Sequence, residues 1–127
     1  MPQFAKHFTV EEANALLPEI REVLREIQTS RNRLVVSWEE AAPVLKAARL
    51  NGGGQQTGAY LGELQRLNRR VRRLIEMGVQ LKDVDRGLVD FPSMREGKEV
   101  LLCWHVGEER VAFYHDLESG FTGRKPL

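Results

Sequence analysis

From Ala13 to Leu45 the apolar residues step by four and three in turn: Ala13, Leu17, Ile20, Leu24, Ile27, then Leu34, Trp38, Ala41 and Leu45, with Arg31 the one interruption. A chain carrying such a heptad pattern must form a long helix and bury one continuous seam. The helix start is written into Phe8-Thr9-Val10-Glu11-Glu12. The Thr9 hydroxyl can accept from the backbone N–H of Glu12, while the Glu12 carboxylate reaches back to the N–H of Thr9. Pro18 and Pro43 lie inside the pattern, where each removes a donor and crowds the preceding turn, so bends are expected there, with a break near residues 29–32 as the alternative. Asn51-Gly52-Gly53-Gly54 ends the helix, because glycine carries a high entropic cost in a helix. Residues 51–57 are expected to form a mobile loop. Thr57 is then placed to cap a second helix with the seam Tyr60, Leu64, Leu67, Val71 and Leu74, closed by a left-handed Gly78. Paired antiparallel, this shorter helix covers only the Leu34 to Leu45 half of the first seam. The Ala13 to Ile27 half needs a sheet or a second copy of the chain.

From Val79 the period changes to an alternation of β-branched or aromatic residues with polar ones, between turn signals. Strands are expected at about 79–83, 87–91, 99–106 and 110–116, forming an antiparallel meander. Asp85-Arg86-Gly87 and Arg95-Glu96-Gly97-Lys98 suit tight turns. Pro92 should end its strand, since it cannot donate to a ladder. The expected fold is α+β and one domain over residues 1–127, with a long antiparallel helical hairpin at 8–78 and a small sheet with a C-terminal tail at 79–127. A hydrophobic share of 42% with 29% charged residues is that of a globular chain. The formal charge of +1 offers no general attraction to nucleic acid or membrane. The single cysteine excludes an intrachain disulfide and zinc sites built on paired cysteines. No apolar run is long enough to cross a bilayer, and a cytoplasmic location is expected.

Chemistry-bearing side chains concentrate between Asp83 and Arg124. Asp83, Asp85, Asp90, His115, Asp116 and Glu118 form an oxygen-rich set with one imidazole, a composition that suits a divalent metal ion. Their spacing matches no established metal motif, and aspartates beside Gly87 and Pro92 also serve as turn caps, with His115 bonded at a sheet edge. Cys103 could act as a thiolate with His105 or His115 as base, or pack as an inert thiol between Leu101, Leu102 and Trp104. A two-residue turn at Glu108-Glu109 would set Cys103 opposite Tyr114 and put His105 and His115 on opposite faces, and a slip of one residue would rearrange these partners. Arg66, Arg69, Arg70, Arg72 and Arg73 form a basic helix face. Without interleaved aromatics it reads as a solvated surface paired with Glu22, Glu26 or Glu63, and nucleic-acid binding is not expected. The tail Gly120-Phe121-Thr122-Gly123-Arg124-Lys125 could hold an anion through Arg124 and Lys125, or use Phe121 as a plug on the core. Trp104, Phe113 and Tyr114 read as sheet packing.

The blocks KDVDRGLVDFP, EVLLCWHVGE and FYHDLESGFTGRKPL, preceded by FTVEEANALLP, together resemble the bacterial domain of unknown function 2203 family along essentially the whole chain. That family has no established reaction, substrate or cofactor, so the resemblance implies no functional residue. The residues themselves favour a small binding or interaction module that forms a homodimer through helix 1. A metal-dependent enzyme built on the Asp/His set and a coiled-coil scaffold are the alternatives.

Overall fold

A computed structural model describes residues 2–51 and 55–127. Helix α1 spans Val10–Asn51, α2 spans Gln55–Glu76, and five strands follow: β1 Gln80–Asp83, β2 Leu88–Arg95, β3 Lys98–His105, β4 Phe113–Asp116 and β5 Lys125–Pro126. The strands form one antiparallel sheet in the order β1-β2-β3-β4-β5. A 3₁₀ turn at Phe121–Gly123 precedes β5.

The N-terminus of α1 is closed reciprocally: Glu12 N donates to Thr9 Oγ1 at 3.0 Å and Thr9 N donates to Glu12 Oε1 at 3.1 Å. The helix runs continuously through Pro18, Pro43 and residues 29–32. The predicted loop at 51–57 is shorter than expected, because Gln55, Gln56 and Thr57 already lie in α2. Thr57 is therefore inside the helix and not its cap; Gly52 to Gly54 lie outside the described residues. At the other end of α2, Gly78 has a φ of 85°. Its N–H bonds to Ile75 O and that of Val79 to Leu74 O, which together satisfy the last carbonyls in a Schellman arrangement.

The core lies between the first half of α1 and one face of the sheet. Ala13, Leu17, Ile20, Leu24 and Ile27 are buried, with Leu74 from α2, Val89 and Phe91 from β2, and Leu102 and Trp104 from β3. The sheet and the C-terminal part of α2, not a second copy, cover the Ala13 to Ile27 half of the seam, so α2 reaches beyond the Leu34 to Leu45 half expected for it. Beyond Arg31, which still pairs with Asp85 of the β1–β2 turn, Val35, Val36, Trp38 and Leu61 are 48–52% exposed. Ion pairs tie the helices together: Arg70 to Glu26 at 3.1 Å, and Arg73 to Glu19. The arginine face of α2 thus meets α1 carboxylates in part, through partners that include Glu26 and Glu19.

Two details of the sheet differ from the sequence expectation. β2 continues past Pro92 to Arg95. The Pro92 carbonyl accepts from Phe8 N at 2.7 Å, on the side away from β3, so its missing N–H falls on that side too and the β2–β3 ladder loses nothing. The β3–β4 register is also one residue away from the one predicted: Cys103 pairs with Phe113 and Leu101 with His115. The connection at 106–112 is longer than a two-residue turn and is held against α1. Val111 N donates to Asn14 Oδ1 at 2.8 Å, Arg21 donates to Glu109 O at 2.8 Å, and Trp104 Nε1 donates to Glu108 O at 3.0 Å.

Candidate functional site

Because side chains alternate along a strand, this register puts Asp90 of β2, Cys103 of β3 and His115 of β4 on one face of the sheet, the face turned away from the main core. His105 shares that face, contrary to the expected register. The two chain ends close it. Gln3 N and Phe4 N donate to the Glu99 carboxylate. From the other end, Arg124 lies over the Phe113 ring at 4.1 Å, and Phe121 meets His105 edge-on at 6.1 Å. Asp90, Cys103 and His115 are all buried, with residual exposures of 2%, 0% and 2%.

The three side chains converge: one oxygen of Asp90, the Cys103 sulfur and one ring nitrogen of His115 lie within 4.8 Å of one another. His115 Nδ1 lies 2.8 Å from the Asp116 carbonyl, which can only accept, so Nδ1 carries a hydrogen and Nε2 is turned inward. Nε2 is 3.0 Å from Asp90 Oδ2. The other Asp90 oxygen, Oδ1, is buried with no hydrogen-bond partner among the described residues. Burial raises the Asp90 carboxyl above its ordinary value, opposed by the charges of His115 and Lys82. Burial, followed by the nearby Asp90 charge, pushes the Cys103 thiol up to about 12. In this state Cys103 is a protonated, covered thiol and not a nucleophile at neutral pH.

The remaining residues of the acidic set are dispersed. Asp83 Oδ1 accepts from Arg86 N at 3.2 Å and caps the β1–β2 turn; Asp85 pairs with Arg31. Asp116 and Glu118 are exposed, and the Asp116 backbone carbonyl serves His115 and Ser119. The candidate anion site is divided as well. Arg124 meets both oxygens of Glu108, at 2.7 and 2.9 Å, and lies over Phe121 at 4.7 Å, while Lys125 is exposed on β5. Phe121 packs on the second sheet face and not into the main core. Of the predicted metal set the fold unites Asp90 and His115, and adds Cys103, which the composition argument left out. The missing signal was register: only a longer β3–β4 connection brings Cys103 and His115 to one side.

Fold and site together define an α+β protein with a projecting helical hairpin on one face of an antiparallel meander and a sealed Asp–His–Cys cluster on the other. The chain belongs to the uncharacterised conserved protein family DUF2203, whose model matches residues 6–127. No curated protein and no solved structure matches it. No helix among the described residues is long and apolar enough to cross a membrane.

Proposed function

We propose that the protein is a small interaction module that self-associates, two copies packing along the outer half of α1. The observation that supports this reading is the run of half-exposed apolar side chains Val35, Val36 and Trp38 on α1, with Leu61 on α2, where the helices extend beyond the sheet. Trp38 leans on Tyr60 at 5.6 Å between ring centres and so lies on the flank of α1 that meets α2, about 160° around the helix from Val36. A second copy suits the Val36 flank because its charges are self-complementary. Arg33, Val36 and Glu40 follow one another at three- and four-residue steps on α1, and all are exposed. A two-fold axis beside Val36 sets Arg33 of each copy against Glu40 of the other, with Val36 at the centre.

Light scattering on the purified chain is expected to give twice the monomer mass, and Val36→Glu is expected to give the monomer with unchanged circular dichroism. A wild-type mass equal to one chain at about 100 μM, a concentration at which a micromolar dimer is mostly assembled, would end the proposal.

A further inference from the structure

We propose that Asp90, Cys103 and His115 bind one thiophilic divalent cation, zinc by preference, as an internal metal centre behind the sheet. Three features of the cluster point to a ligand. The first is the donor set: one thiolate, one imidazole and one carboxylate are the side chains from which tetrahedral zinc sites are assembled. Their donor atoms lie within 4.8 Å of one another, so small side-chain rotations bring them to the roughly 3.3–3.8 Å separations that tetrahedral zinc bonds of about 2.0–2.3 Å set. The second is orientation. His115 donates from Nδ1 to a backbone carbonyl, the outer contact that typically fixes a ligating histidine, and this turns Nε2 into the cluster, where it now meets Asp90 Oδ2 at 3.0 Å. The third is Asp90 Oδ1, a buried carboxylate oxygen with no nitrogen or oxygen donor among the described residues, in a side chain only 3% exposed whose one other polar neighbour is the weakly donating Cys103 thiol. A carboxylate oxygen left this way costs free energy that a cation would recover.

Charge favours a divalent ion. Asp90 and a deprotonated Cys103 supply two negative charges, so a doubly charged cation yields a neutral buried unit, and a neutral unit avoids the desolvation cost of an isolated internal charge. As the metal bonds form, two protons leave to solvent, that of the Cys103 thiol and the one shared between His115 Nε2 and Asp90 Oδ2, and His115 ends neutral with its hydrogen on Nδ1. The second Asp90 oxygen or a water completes four donors. This site differs from the acidic set of hard-cation type: sulfur selects zinc over magnesium or calcium. It is also independent of the outer hairpin, so dimerisation can fail without touching it.

Because the cluster is covered, metal is best introduced during folding. The full chain, unfolded with a chelator, then freed of it and refolded under reducing conditions with one equivalent of cobalt(II), is expected to retain one cobalt through gel filtration. It should also show a near-ultraviolet thiolate-to-cobalt charge-transfer band that zinc abolishes. Cys103 is the chain's single cysteine, so the band identifies its ligand even if a variant fails to fold. Cys103→Ser is expected to lose the band, and Asp90→Asn to weaken cobalt binding at least ~10-fold. Refolded wild-type protein with native circular dichroism but neither bound cobalt nor the band would overturn the proposal. A band of equal strength in denaturant would do so too, since it would belong to the unfolded chain.

Discussion

At Gly87 the backbone has a φ of 60°, and a Cβ there would sit 2.4 Å from Val106 Cγ2. Left-handed geometry and lack of room act together, so Gly87→Ala is expected to lower stability by about 2 kcal/mol, read as a lower urea midpoint with unchanged slope. Glu99 offers a different test at the same scale. Its side chain is 9% exposed and its carboxyl is held below the ordinary value, first by the N–H of Gln3 and then by His7 and the N–H of Phe4. A carboxyl lowered by folding contributes stability that is complete above its unfolded value, about 4.3, and is lost as pH falls through the lower folded value. Thermal melting of wild type and Glu99→Gln should therefore differ at neutral pH and converge as acid protonates Glu99; a difference that persists unchanged in acid would contradict this role.

The start of α1 and the end of α2 were legible because they rest on local chemistry, whereas the start of α2 was not, Thr57 lying inside the helix it was expected to cap. Thr9 and Glu12 form the reciprocal cap their spacing implies, and Gly78 terminates α2 with the positive φ expected of it. Thr9→Ala is expected to cost about 1 kcal/mol, seen as a lower melting temperature, since it strands the N–H of Glu12. Strand pairing was less legible. The alternation in EVLLCWHV says that Cys103 and Trp104 face opposite ways, but not which residues of β4 lie beside them. That choice is made by Asn14, Arg21 and Val111, far apart in sequence, where the 106–112 connection meets α1. A shift of one residue separates a cluster from a scattering of the same side chains. Pro92 taught a similar point: proline is excluded from a ladder only on the side its nitrogen faces, and that side is decided by which strands neighbour it. The metal set drawn from composition grouped residues by type, whereas the fold grouped Asp90, Cys103 and His115 by face.

For the molecule as a whole, the division of labour along α1 matters most. Its first half is buried between α2 and the sheet, and its second half carries the exposed apolar residues through which a second copy is proposed to dock. If the proposed dimer forms through that half, the wild-type melting temperature is expected to rise with protein concentration, while that of Val36→Glu stays constant. The opposite end of the molecule has the reverse problem of keeping strangers out. β1 accompanies β2 only as far as Asp90, and beyond it the chain's own beginning takes over: Phe8 N binds the Pro92 carbonyl, and the Ser93 hydroxyl binds the Phe8 carbonyl at 2.6 Å. The first residues are thus a guard on an otherwise open strand edge. A protease that trims them takes Phe8 out of the core as well, and leaves a bare template on which other chains can add.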